Sequence, residues 1–405
     1  MRRLPALLAA AVLGLVCGAT LVLAIQDAPA SPSAPLLDGA PAAPATALPT
    51  VTVPTEPLLL VWTPGGLPPV FADAVTRLPM VDATTIVWAD PVHMVRSSDA
   101  EGTIVDDAGG GRVFPLDAFA VDPRTYRAFV PTSVAATLDA LAPGDAVLGE
   151  TSAALRRLGP GGSIELAGGQ RLTVAAVVPD VVVGGAEIVV ALRDAASVDI
   201  ATPRFLLLTY SGDRASAQAA IGDVLPAGER VRFRGPGESA FLRHGDAVLP
   251  QAFMKARFGE FAYTPPTSGR EFVPDPAWVA ANIVTAQVPV LGEVRCHRSF
   301  VPALTGALAE LESRNLGYLI DPRSFGGCFN PRFISTDPRS GISHHAWGAA
   351  VDLNTEKNQF GGASHQDTRL IDVMARWGMG WGGDWLVPDP MHFEYLRPPQ
   401  EVSEK

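Results

Sequence analysis

Five of the seven histidines fall after residue 290: His297, His344, His345, His365 and His392. Two short stretches set some of them beside carboxylates. The first runs Ser343-His344-His345-Ala346-Trp347-Gly348-Ala349-Ala350-Val351-Asp352, and the second Asp389-Pro390-Met391-His392-Phe393-Glu394. A catalytic zinc takes three nitrogen or oxygen ligands and keeps one position open. His345 and Asp352 stand seven apart, Gly348 between them permits a tight bend, and Ala350 to Leu353 reads as a strand. That layout can bring both side chains to one Zn2+. His392, in a second short strand from Met391 to Tyr395, can supply the third ligand. Asp389 lies three residues earlier, where a carboxylate can take a proton from water.

The neighbouring residues have competing readings. His344 adjoins a ligand, but the spacing to Gly348 and Asp352 favours His345. His365 follows Gly361-Gly362-Ala363-Ser364 and reads as a loop or helix-entry residue. His297 either lines the cleft or packs. Glu394 is placed to orient a ligand histidine, with a strand-face charge as the plain alternative. Trp381 and Trp385 read as cleft wall or as core.

The two stretches resemble the LAS-type zinc peptidases of the D-alanyl-D-alanine carboxypeptidase and L-alanyl-D-glutamate endopeptidase group, the M15 family. Its signature, Ser-x-His-x-x-Gly-x-Ala-x-Asp, is met by Ser343, His345, Gly348, Ala350 and Asp352. The downstream acid-x-x-His is met by Asp389 and His392, and Gly380-Trp381-Gly382-Gly383-Asp384-Trp385 is also similar. The resemblance runs from Ala281 to Pro398. It implies that His345, Asp352 and His392 bind zinc and that Asp389 is the general base. It also implies an arginine that stabilises the oxyanion or a substrate carboxylate. Two candidates stand, Arg298 in Cys296-His297-Arg298-Ser299 and Arg332 in Asn330-Pro331-Arg332. The family's more frequent Tyr-Arg-Ser is Cys-His-Arg-Ser here, which leaves the choice open.

Elements around these stretches must position them. Leu304, Leu308 and Leu311 share one face of a helix expected from Pro302 to Asn315. Thr368 to Trp377 reads as a second helix ending at Gly378. Helices before a small antiparallel sheet make this region α+β. Cys296 and Cys328, 32 residues apart, are expected to form a disulfide in an exported protein. That bridge would hold both arginine candidates near the metal.

Upstream, the chain divides by composition. Arg2 and Arg3 precede an apolar run from Leu4 to Ile25, about 33 Å long as a helix and able to span a bilayer. It reads as an uncleaved signal anchor or as a signal peptide cut after Ala24; Cys17 offers a weaker lipoprotein reading. Residues 26–56 are rich in Ala and Pro and read as a disordered spacer. Residues 57–235 alternate short apolar strands with helices, a separate α+β domain. Thr151–Leu158 and Ala215–Val224 are its expected helices. Gly161 to Val178 is its expected hairpin. The order from Leu148 to Gly162 resembles the extracytoplasmic core domains of ABC-type permeases. His93, beside Met94, reads as structural. Residues 236–280, richer in Gly, Pro and charge, read as a connector, and 281–400 as the zinc peptidase domain.

Composition excludes other classes. A net charge of −11 argues against nucleic acid as a partner. Hydrophobic residues at 47% exclude wholesale disorder. The expectation is an extracytoplasmic, membrane-anchored or secreted zinc peptidase of the bacterial envelope, cutting peptidoglycan stem peptides as a D-alanyl-D-alanine carboxypeptidase-like enzyme. The alternative is an envelope binding or scaffold protein with a vestigial zinc site.

Overall fold

Leu58-Leu59-Leu60-Val61-Trp62 has no polar member, and it forms a strand buried on both faces. It opens the larger of two halves. In the computed structural model, residues 57–246 and 249–399 are described. The apolar run at 1–25, with Cys17, and the Ala/Pro-rich segment at 26–56 lie outside them. Among the described residues no helix is long and apolar enough to cross a membrane.

The larger half is a ten-stranded sheet. Its central strand, Val81–Ser98, pairs antiparallel with Pro203–Tyr210 on one side and Phe114–Val121 on the other. Beyond Pro203–Tyr210 lie Leu58–Trp62 and then Arg232–Arg234. The opposite direction passes through Ile188–Ala191, Asp145–Gly149, Arg171–Val178 and Ser163–Leu166. Ser163–Leu166 then pairs back to Val81–Ser98, so these strands close a ring. Two of the pairings are parallel, Phe114–Val121 with Ile188–Ala191 and Asp145–Gly149 with Arg171–Val178. The expected hairpin is the antiparallel pair Ser163–Leu166 and Arg171–Val178. Arg214–Asp223 is a helix that starts where Asp213 accepts a hydrogen bond from the Ser216 N–H at 2.9 Å. Its Ala217 and Ile221 pack on Leu59 and Val61.

The stretch 236–280, expected to be a connector, is core instead. Gln251–Phe258 is a helix. Phe253, Phe258, Phe261, Tyr263, Phe272 and Trp278 are buried in the same apolar cluster as the C-terminal elements. Aromatic burial outweighs the loop signal of its glycines and prolines, since each large ring removes 150–250 Å² or so from water.

In the C-terminal half, Val301–Ser313 and Thr368–Arg376 are the two expected helices. Leu304, Leu308 and Leu311 are fully buried. Gly306 lets the Trp377 ring lie against its helix: a Cβ there would sit 2.1 Å from the ring. A three-stranded antiparallel sheet, Ala350–Asp352, His392–Tyr395 and Met379–Trp381, lies beside a hairpin of Ile283–Val288 and Gly292–His297. Both halves are α+β.

Candidate metal centre

Strand pairing places the first two candidate ligands. Asp352 and His392 are direct partners across Ala350–Asp352 and His392–Tyr395, and Ala350 pairs with Glu394. Paired residues of an antiparallel ladder share a face, so Asp352, His392 and Glu394 emerge on one side. His345 arrives from a single 3-10 turn, His344–Trp347. The Ser343 hydroxyl accepts from the His345 N–H at 3.4 Å and starts that turn. Gly348 ends it at φ 65°, where an added Cβ would lie 2.7 Å from the His297 nitrogen. Glycine is required there on both counts.

Three atoms converge. His345 Nε2 is 3.1 Å from Asp352 Oδ1, His392 Nδ1 is 3.0 Å from the same oxygen, and the two nitrogens are 3.2 Å apart. All three residues are buried. The outward nitrogens decide the protonation. His345 Nδ1 lies 2.8 Å from the Cys328 carbonyl, which only accepts, so that nitrogen donates. Burial holds the His345 ring below its usual pKa, so it is neutral and Nε2 carries a bare lone pair. His392 Nε2 lies 3.1 Å from Glu394 Oε2 and donates to it. Burial pushes the Asp352 and Glu394 carboxyls up, but the histidines around them outweigh it and hold both well below the usual range. Burial would lower His392, yet Asp352 and Glu394 push it up to about 10.

A single proton on His392 Nδ1 serves one of the three contacts. It leaves the His345 lone pair facing the Asp352 carboxylate. A divalent cation satisfies all three donors at once. Tetrahedral coordination with ~2.0–2.1 Å bonds gives ligand edges of about 3.3 Å, close to the distances seen. The donor set, two imidazoles and one carboxylate with their far sides bonded, is one that suits zinc. These residues fit the metal.

The cysteines join this frame. Cys296 and Cys328 form a disulfide with a Cα–Cα distance of 5.4 Å. It ties Gly292–His297 to the residue whose carbonyl orients His345. The same segment is stitched to the Asp352 strand, with the Gly326 N–H donating to Asp352 O at 2.8 Å and the Asp352 N–H to Gly327 O at 3.2 Å.

Asp389 sits at the edge of the cluster. Its N–H donates to Gly382 O at 2.8 Å, its carbonyl accepts from the His392 N–H at 3.0 Å, and Trp381 Nε1 bonds Pro390 O at 2.8 Å. The turn from Asp389 to His392 is thereby rigid. Its Oδ1 is buried and has no hydrogen-bond partner among the described residues. Burial pushes its carboxyl up to about 6, with the Asp352 charge adding to the rise.

Of the two arginines, the structure brings Arg332 to the cluster, its Nη2 3.9 Å from Asp352 Oδ2. Arg298 is exposed, and its N–H donates to Asn282 O at 2.9 Å. His297 packs: its Nε2 donates to Phe258 O at 2.9 Å and its Nδ1 accepts from Ser299 N at 3.0 Å. Burial takes it down to about 4. His344 Nδ1 lies 2.8 Å from Glu394 Oε2, behind the ligand cluster. His365 is exposed. His93 bonds the Tyr263 hydroxyl at 2.7 Å, a structural contact. The Cys328 carbonyl is the feature that sequence reading missed, because backbone oxygens leave no residue-type signal.

A family model described as D-alanyl-D-alanine carboxypeptidase matches residues 336–395. That segment contains His345, Asp352, Asp389, His392 and Glu394. No curated protein matches the chain. Among solved structures, the periplasmic region of MacB from Actinobacillus actinomycetemcomitans is similar at TM-score 0.31 and 9% identity, over 44% of this chain and 88% of that one. The extracellular domain of the noncanonic ABC-type transporter YknZ from Gram-positive bacteria is similar at TM-score 0.29 and 8% identity, over 44% of this chain and all of that one. Likeness at this level carries no functional conclusion.

Proposed function

We propose that the C-terminal half is a zinc-dependent peptidase that hydrolyses peptidoglycan stem peptides in the manner of a D-alanyl-D-alanine carboxypeptidase. The observation that carries this reading is the convergence of His345, Asp352 and His392 within 3.2 Å of one another, beside a buried, unpartnered Asp389 oxygen. The family match over 336–395 supports the substrate class. The disulfide supports an oxidising, extracytoplasmic compartment.

His345, Asp352 and His392 hold the metal. When bound, zinc polarises the scissile carbonyl and lowers the pKa of water toward ~7. Asp389 takes the proton of the attacking water and returns it to the leaving amine, so one water and one amide give a carboxylate and an amine. A carboxyl near pKa 6 suits both steps, since a base is most effective with its pKa close to the working pH. Arg332 faces the charge that develops on the carbonyl oxygen or the free carboxylate of the substrate. Glu394 and the Cys328 carbonyl fix the two imidazoles.

The test is product analysis on defined muropeptides, with and without a chelator, for the wild type and for His345→Ala and Asp389→Ala. Release of D-alanine that the chelator and both substitutions abolish supports the reading. Zinc-loaded protein that releases no D-alanine and no stem fragment overturns it, and leaves an envelope binding protein.

A further inference from the structure

A cleft of about 310 Å³ runs between the two halves. It adjoins the metal centre on one side, since both His344 and Trp385 line it. His344 contacts Glu394, and the Trp385 ring lies 5.2 Å from that of His392. Its opposite wall comes from the large-sheet half.

That wall grips the two loops that border the cleft. Arg204, paired with Asp90 at 2.7 Å, donates to the Arg339 carbonyl at 2.7 Å. Asp246, paired with Arg232, accepts from the Leu386 N–H at 2.6 Å. Arg232 also donates to Asp384 O at 2.9 Å, and Arg230 to Leu386 O at 3.1 Å. Residues 384–386 are therefore held by Arg230 and Arg232 of the large-sheet half and by Asp246 of the stretch that follows it. The same loop returns to Gly382 and Asp389 through their backbone bond.

The mouth is apolar. Phe360 is 61% exposed and Ile334 55% exposed, and both line the cleft. Large apolar groups left in water at a cleft rim favour a ligand that covers them. The charges are not balanced. Asp90, Asp117 and Asp246 each have their own arginine: Arg204, Arg243 and Arg232. Arg339, exposed at the cleft, has no ion-pair partner among the described residues. A peptide with a free carboxylate and an apolar portion fits this lining.

We propose that the large-sheet half is a working part of the substrate site: the cleft between the halves holds the segment of an acidic peptide that precedes the cleaved bond. This rests on the peptidase reading of the metal centre. Asp246 is a positioning residue that fixes the Trp385 loop, and Phe360 and Arg339 contact the peptide.

The test compares acetylated D-alanyl-D-alanine, which reaches the metal centre alone, with a five-residue stem peptide containing a γ-linked glutamate. The ratio of kcat/KM for the long peptide to that for the short one is expected to fall about tenfold in Phe360→Ser and Arg339→Ala, mainly through KM. Both positions are exposed, so folding is preserved. Calorimetry with the metal-free wild type is expected to show the long peptide binding, and the Arg339→Ala variant binding more weakly. An unchanged ratio together with unchanged binding overturns the proposal. If the wild type cleaves neither peptide but binds the long one, and Phe360→Ser weakens that binding, the cleft stands and the hydrolytic reading falls.

Discussion

Glu394→Gln should weaken zinc binding without unmaking the site. Glu394 is no ligand. Its Oε2 accepts from His392 Nε2 at 3.1 Å, on the far side of the ring from Asp352. The carboxylate is held well below its usual pKa and is ionised, so the bond is charge-assisted, worth about 1.5–3 kcal/mol. It fixes the ring orientation and makes Nδ1 a better donor to a metal. The amide oxygen still accepts from His392, and it still faces His344, which meets the same oxygen at 2.8 Å, but the negative charge is gone. Part of the bond survives, which places the loss at about 1.4–2.7 kcal/mol, a tenfold to hundredfold rise in the zinc Kd. A chelator competition titration at fixed pH reads this directly. The Gln variant should still bind one zinc per chain. A Kd within twofold of wild type would refute the argument that Glu394 orients His392.

Asp389→Asn should lower kcat on muropeptides by about 10²–10⁴, as expected for a lost general base, while zinc stoichiometry stays at one; loss of zinc would instead make Asp389 a ligand. His297 is buried and held near pKa 4, so its folded form resists a proton that the unfolded chain takes up below pH 6.5. The stability it preserves is complete above pH 6.5 and lost as pH falls toward 4; between pH 7.5 and pH 5 this amounts to about 2 kcal/mol. Urea unfolding at the two pH values should show it, and His297→Asn should shrink the difference. Gly306→Ala would put a Cβ about 2 Å from the Trp377 ring and should cost about 1–3 kcal/mol in the same assay. Replacing Cys296 and Cys328 by Ala together removes a bridge closing 32 residues and should cost about 3–4 kcal/mol, with zinc affinity falling as the Cys328 carbonyl loosens from His345.

The candidate ligands were legible because their constraint is local. His345, Gly348 and Asp352 belong to one turn and one strand, so their spacing records the geometry: the turn needs a left-handed residue at Gly348 and closes on the His297 backbone. His392 lies 40 residues beyond Asp352, and what places it there is the pairing of two short strands. Spacing alone does not encode that pairing, and the motif resemblance supplied it. Arg298 and Arg332 were indistinguishable in sequence, each a few residues from a cysteine. The disulfide joins their neighbours, but Arg298 follows the strand out to solvent while Arg332 enters an isolated bridge with Glu271 and faces Asp352.

Signals were misread where one residue type outweighed its surroundings. Pro91 lies inside Val81–Ser98, an 18-residue strand where the sequence suggested only short apolar ones. Proline removes one ladder donor, but Pro91 pairs with Asp117 while neighbours on both sides keep the register. In 236–280 the glycines and prolines masked six aromatic residues between Phe253 and Trp278, a density that few exposed linkers carry. The contacts across the two halves left no trace at all. Arg204 and Arg339 are 135 residues apart, and Asp246 and Leu386 are 140 apart. In each, one partner is a backbone group. Such bonds constrain only one side chain, so the site's outer wall emerges from packing and not from any pattern in the chain.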